Sequence, residues 1–195
     1  MHNHKSRSTL LTESLYAKLF ADINDFREAF DLPVSQPDSF AESDDQLHSS
    51  LLIEEMSELA TATTKIQIAD ALIDSVYVLV GRDSHLGKMT INSYLIDILL
   101  NIAKQQDIDF VKGWDIVHAS NMSKLCVDEA DFNNTKQYYK DLGVDVYGTT
   151  KSNGMIAVKC AKDVNYIAGG IRKKIKKDKV LKSVSYTEAD LTSVC

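Results

Sequence analysis

Along the first two-thirds of the chain, apolar residues return every three or four positions, the spacing that gathers them on one face of an α-helix. Leu15, Leu19, Ile23, Phe26 and Phe30 mark such a face and predict a helix over roughly residues 11–30. Pro33 and Pro37 end it, and the polar stretch to Gln46 reads as a loop. Further helices are predicted from about Asp45 to Thr61, Thr64 to Arg82, Thr90 or Asn92 to Gln105, and Asp109 to Asn121. Gly81 and Gly87 flank the end of the third. After Asp131 the pattern changes. A short helix over residues 132–142 precedes two strand-like segments, Val144–Tyr147 and Met155–Cys160, with Asn153-Gly154 between them as a hairpin signal. The stretch from Ile171 to Ser185 adds further strands, with a turn at Lys177-Asp178-Lys179. The expected fold class is therefore mainly α: a helical bundle core over residues 1–130 and a small C-terminal α/β extension over residues 131–195.

Two of these helices carry acids where helices usually carry none. In LLIEEMSEL, residues 51–59, Glu54, Glu55 and Glu58 fall within an arc of about 100°. Leu47, Leu51 and Ala62 share that arc, while Leu52, Met56 and Leu59 cover the other side. A solvated acidic face would mix its acids with Lys or Arg rather than Leu. In IQIADALIDSVYVLVG, residues 66–81, apolar residues occupy every side, which marks a buried helix, yet Asp70 and Asp74 lie on one stripe of it. Both helices are expected to be buried. Five carboxylates without a matching cation would oppose folding unless something neutralises them. A divalent cation does so, and an all-oxygen set without His or Cys suits Mg²⁺ or Mn²⁺ better than zinc. The alternative is neutralisation by Lys65 or Lys124.

Composition narrows the picture. Of the 195 residues, 44% are apolar and the formal charge is −6, so the whole molecule does not read as a nucleic-acid binder. The charge is uneven: Asp38 to Asp45 is acidic, and Arg172 to Lys182 is strongly basic, a solvated surface or a patch that meets phosphate oxygens. Cys126, Cys160 and Cys195 are odd in number and far apart, which fits a reducing, cytoplasmic setting. The opening MHNHKSRSTLL lacks the apolar stretch of a leader, and no apolar run reaches membrane-spanning length.

A third segment, VHASNMSKL over residues 117–125, places Asn121 and Lys124 three apart on the face of Trp114 and Val117. An amide and an ammonium near a metal cluster suit phosphate oxygens. His118 has no His or Cys partner at ligand spacing and reads as a structural or surface residue.

The order Glu54-Glu55-x-x-Glu58, an Asp-bearing helix, then Ser120-Asn121-Met122-Ser123-Lys124 resembles the all-α nucleoside triphosphate pyrophosphohydrolases. Within them it is similar to the MazG-like and phosphoribosyl-ATP pyrophosphohydrolase-like members of bacteria and phages. The likeness extends from Phe26-x-x-Ala29-Phe30 through Asp70-Ala-Leu-Ile-Asp74-Ser-Val-Tyr77-Val-x-x-Gly81 to the closing Lys179-to-Leu191 stretch. It departs from the pattern at the second motif, where Ala71 stands at the usual Glu position and Asp70 lies one residue earlier. The stretch from about Arg82 to Gln106 is also longer than in compact relatives.

The resemblance implies an all-α core that assembles as a homodimer or homotetramer. It assigns Glu54, Glu55, Glu58 and Asp74 to metal, Asn121 and Lys124 to the triphosphate, and water attack on the α-phosphorus as the reaction. Glu55 or Asp70 is the candidate proton acceptor. The expected substrate is a nucleoside triphosphate, for instance dUTP or dCTP, cleaved to monophosphate and pyrophosphate in the cytoplasm, of the host if phage-encoded. Competing expectations are phosphoribosyl-ATP as substrate, a non-catalytic nucleotide-binding regulator, and a purely structural helical oligomer. Pyrophosphate release and metal-dependent stability separate them.

Overall fold

The computed structural model describes residues 9–168 and 171–195, and for residues 166–168 and 171–173 the backbone alone. Residues 1–8, part of the opening read above for a leader, lie outside the described residues. Six α-helices, α1 (Glu13–Ala29), α2 (Glu42–Thr61), α3 (Lys65–Leu86), α4 (Ser93–Gln105), α5 (Phe110–Met122) and α6 (Glu129–Asp141), precede four short strands. These are β1 (Val146–Thr150), β2 (Ile156–Cys160), β3 (Val164–Ala168) and β4 (Ile171–Ile175). The protein is mainly α with a small α/β part towards its C-terminus. By packing, the chain divides into two compact units: residues up to Val117 together with Asp190–Cys195, and His118–Ala189.

In the first unit the helix ends follow their local chemistry. Thr12 caps α1 by accepting from Leu15 N at 3.1 Å. That helix stops before the prolines, with Asp31 in the left-handed region at φ 54°. α2 begins at Glu42, earlier than expected, because Asp44 Oδ2 accepts from Ala41 N at 2.8 Å. α3 opens on a capping box, Gln67 N to Thr64 Oγ1 at 3.2 Å and Thr64 N to Gln67 Oε1 at 3.1 Å. It passes Gly81 and stops at Gly87, whose φ of 68° only a residue without Cβ adopts freely.

α3 is the central element. Leu72, Ile73, Val76 and Val80 are fully buried, with Leu19 and Ile23 of α1, Phe30 at its end, Ile96 and Leu99 of α4, and Trp114 of α5. A Cβ on Gly113 would stand 2.7 Å from Ile73 Cδ1, so this glycine permits close approach of α5 to α3. The ends of α3 and α1 share one buried acid: Tyr16 Oη and Thr90 Oγ1 donate to Asp83 at 2.8 and 2.6 Å.

The sequence reading is confirmed for α3 from Ala71 onward, corrected at its first turns, where Ile66 and Asp70 are exposed, and corrected for α2. Only His48 of α2 is buried; Leu47, Leu51 and Ile53 are 56%, 37% and 66% exposed. Leu52, Met56 and Leu59 are half-buried. The apolar residues flanking the glutamates are thus at the surface of this chain. Periodicity reports which positions are apolar but not whether another element covers them.

In the second unit, β1 and β2 form an antiparallel hairpin with Gly148 opposite Val158, and β3 and β4 form a second with Tyr166 opposite Lys173. The turn signals at Asn153-Gly154 and Lys177-Asp178-Lys179 mark observed turns. The strand β3 was not expected. Every residue of β2 is buried, and Ile156, Val158 and Cys160 join Cys126, Tyr139, Val144, Ile175 and Leu181 in one core.

Candidate active site

A connection of three residues, Ala62 to Thr64, folds α2 back on α3. The two pack extensively, with Met56 Sδ 3.6 Å from Ser75 Oγ. This hairpin brings Glu55 and Glu58 into electrostatic range of Asp70, with Glu54 acting on Glu55. A cavity of about 180 Å³ lies at its closed end, lined by Glu58, Thr61, Ala62, Gln67 and Asp70.

The electrostatics are those of crowded acids. Burial, then Glu58, Glu54 and Asp70 in that order, push Glu55 from 4.5 up to about 7. Asp70 is exposed as a residue, yet its carboxyl is also raised, by partial desolvation first and then by Glu58. Among the described residues no hydrogen bond or ion pair engages the carboxylates of Glu54, Glu55, Glu58 or Asp70. Lys65, weighed as a neutralising cation, instead donates to Asp107 O at 3.0 Å. Asp74 is half-buried one turn beyond Asp70.

The donor chemistry fits a hard divalent cation: carboxylate oxygens only, of like charge and close enough to raise Glu55 and Asp70. The side chains are not already gathered. Among the described residues, no three His, Cys, Asp or Glu stand close enough to hold an ion as they are.

Asn121 and Lys124 belong to the second unit. Lys124 Nζ donates to Asn121 Oδ1 at 2.6 Å, so the spacing of three does bring these two together. His118 is half-buried in that unit.

Sequence reasoning missed a second group on the α2–α3 hairpin. A cavity of about 250 Å³ is lined by Asp45, His48, Ser49 and Leu52 of α2, Val78, Leu79 and Arg82 of α3, and Ile91 and Asn92. Beside it, Phe40 stacks on His48 with ring centroids 6.1 Å apart and lies 5.4 Å beneath the Arg82 guanidinium. Arg82 Nε donates to Asp45 Oδ1 at 2.8 Å. His48 is pushed from 6.5 down to about 4, by burial first and then by Arg27, His85 and Arg82. No sequence signal joins these residues, which come from three separate stretches. A further cavity, about 410 Å³ and lined by Leu10, Leu15, Leu100, Lys104 and residues 107–111, contains none of the expected site residues.

The family model of phosphoribosyl-ATP pyrophosphohydrolase matches residues 23–87. The match spans a third of the chain and makes this segment similar to that all-α pyrophosphohydrolase family. It covers most of α1 and the whole α2–α3 hairpin, hence all five carboxylates, and ends before Asn121 and Lys124. No curated protein and no solved structure matches the chain. No helix among the described residues is long and apolar enough to cross a membrane.

Proposed function

We propose that this protein hydrolyses a nucleoside triphosphate, a deoxynucleotide such as dUTP or dCTP, to the monophosphate and pyrophosphate, with Mg²⁺ or Mn²⁺ bound. The observation that carries this reading is the acid hairpin. A segment matching a pyrophosphohydrolase family holds five carboxylates, one of them raised to about 7 by burial and like charge. Glu54, Glu55, Glu58 and Asp74 would hold the ion. When bound, it offsets phosphate charge and makes a coordinated water more acidic.

The chain's own groups supply the rest. Water adds to the α-phosphorus, the bond to the bridging oxygen breaks, and the electron pair leaves with pyrophosphate. The water's proton goes to a carboxylate. Glu55 suits this role, because a base that titrates near neutrality is well matched to the operating pH. Asp70, also raised, is the other acceptor. Asn121 and Lys124 take phosphate oxygens.

Assembly belongs to the same proposal. Leu47, Leu51 and Ile53 of α2 and Ile66 of α3 are exposed, and a second copy related by a two-fold axis would cover them. Light scattering at micromolar concentration should give a dimer or tetramer mass. A monomer mass counts against it.

A second reading, phosphoribosyl-ATP as substrate, is favoured by the family model that matches. The deciding experiment measures pyrophosphate release from ribo- and deoxynucleoside triphosphates and phosphoribosyl-ATP with Mg²⁺. Turnover of a deoxynucleoside triphosphate above the others supports the first reading. Turnover of phosphoribosyl-ATP alone supports the second. Release from none leaves a nucleotide-binding homologue and sinks both.

A further inference from the structure

Residues 118–189 contain thirteen Lys and Arg against eight Asp and Glu, whereas the remainder contains nine against twenty. Within this basic unit, two stretches distant in sequence are laced together. Ser183 N donates to Lys124 O at 3.1 Å, which sets the backbone beside Lys182 against that of Lys124. Thr187 N donates to Ser123 Oγ at 3.0 Å, and Ser120 Oγ donates to Thr187 O at 2.8 Å. Tyr186 Oη lies 3.0 Å from Ser120 Oγ, next to Asn121 in the chain. Tyr139 Oη fixes the backbone at Lys182 by donating to its carbonyl at 3.0 Å.

Lys182 stands on this frame. Its ammonium lies 3.9 Å from the centroid of the Tyr186 ring, and among the described residues no carboxylate pairs with it. A cation held over a ring face is oriented without spending its N–H donors on an acid. The side chain is exposed, so those donors face solvent. On the other stretch, Lys124 and Asn121 are already joined at 2.6 Å. The end of the basic run thus lies beside the Asn-Met-Ser-Lys segment rather than forming a separate surface.

We infer that Lys182, positioned by Tyr186, forms with Asn121 and Lys124 a binding site for a chain of phosphates. Two ammonium groups and an amide supply the point charges and donors that such a polyanion takes. The inference rests on the proposed function only in identifying that polyanion with the substrate's phosphates.

The probe is inorganic tripolyphosphate, titrated calorimetrically into the full chain without divalent metal. Lys182→Ala should weaken binding about tenfold, the effect of losing one charge-assisted contact. Lys182→Arg should stay within about threefold of the unaltered protein, and so should Tyr186→Phe, which keeps the ring. Tyr186→Leu should weaken binding although Lys182 is intact. Lys136→Ala, on the exposed side of α6, controls for diffuse charge and should change nothing. Circular dichroism confirms that each variant is folded.

Unaltered affinity in Lys182→Ala overturns the inference, and so does equal weakening in Lys136→Ala or no binding by the unaltered chain at millimolar tripolyphosphate. Steady-state kinetics on whichever nucleotide is turned over should show Lys182→Ala raising KM with kcat largely kept. Tripolyphosphate binding through Lys182 without nucleotide turnover sinks the proposed function and leaves this site standing. Turnover with unchanged KM and unchanged tripolyphosphate affinity in Lys182→Ala does the reverse.

Discussion

The hairpin of α2 and α3 treats its acids in two opposite ways. Asp83, near the C-terminal end of α3, is completely buried and fully served: Tyr16 Oη, Thr90 Oγ1 and Thr90 N all donate to it. The same contact raises the Tyr16 hydroxyl's pKa, through burial first and its bond to Asp83 second. Glu55, half-buried, and Asp70, exposed, lie nearer the closed end, yet no donor among the described residues reaches them and both are raised. Burial therefore does not by itself decide which acid is uncomfortable; burial without a supply of donors does. A satisfied buried acid is a structural fastening. Acids left without donors oppose folding and have a use only if something else arrives to pair with them.

The largest test of this contrast is Glu55→Gln. It should lower pyrophosphate release by about 10²- to 10⁴-fold, the range for loss of a positioned base, while leaving the fold intact by circular dichroism. Turnover within threefold of the unaltered enzyme would remove Glu55 from the chemistry.

Asp70 and Asp74 sharpen it. Asp74→Asn should nearly abolish both turnover and the rise in melting temperature on adding Mg²⁺. Asp70→Asn should keep that rise and slow turnover on the order of ten- to hundredfold, as changes beside a metal's direct ligands do. The opposite pattern would make Asp70 the direct ligand.

Asp83→Ala should behave in the reverse sense. It strands the Tyr16 hydroxyl and the Thr90 donors and should cost on the order of 3 kcal/mol in chemical denaturation. A loss below about 0.5 kcal/mol would mean that Asp83 is not the fastening described.

Acidity separates the groups further. His48 is lowered from 6.5 to about 4, so its folded form is neutral and its contribution is complete above pH 6.5. That contribution is lost as pH falls through 4, on the order of 2 kcal/mol. His48 is hemmed in by Arg27, His85 and Arg82, with Asp44 the opposing charge. His48→Leu should flatten the fall in melting temperature between pH 6.5 and 4, and an unchanged slope would contradict the assignment.

The smallest effect has the opposite sign. Glu55 is raised from 4.5 to about 7, so the folded form binds its proton more tightly than the unfolded chain. Its contribution is complete below pH 4.5 and is lost as pH rises through 7. Metal-free Glu55→Gln should therefore melt slightly higher than the unaltered protein at pH 8 and no higher at pH 4. A lower melting point at pH 8 would show that Glu55 is stabilising.

The elements most legible in the sequence were those whose pattern is complete within one element. α3 announced its burial because apolar residues surround it, and its capping box lies in consecutive residues. The acids of α2 and α3 were legible as a group because a short connection forces the two helices together. α2 was misread because leucines beside glutamates look the same whether another helix covers them or not. β3 was missed because Val164 to Ala168 has little apolar pattern and is held by backbone pairing to β4. The cluster of Phe40, His48 and Arg82 could not be foreseen, since its members meet only through tertiary packing.

The return of Asp190–Cys195 to the first unit has a consequence in time. Asp109 N and Lys112 Nζ donate to the carbonyls of Val194 and Ser193 at 3.0 Å each, and Leu191 and Val194 are buried there. During synthesis the contiguous stretch from His118 to Ala189 has emerged in full before these residues appear. The later unit can therefore complete its contacts first, while the acid-bearing one completes its own only with residues some eighty positions downstream. A nascent chain halted before residue 190 would expose the seat of Leu191 and Val194 beside α5, making that surface a place for chaperone attention.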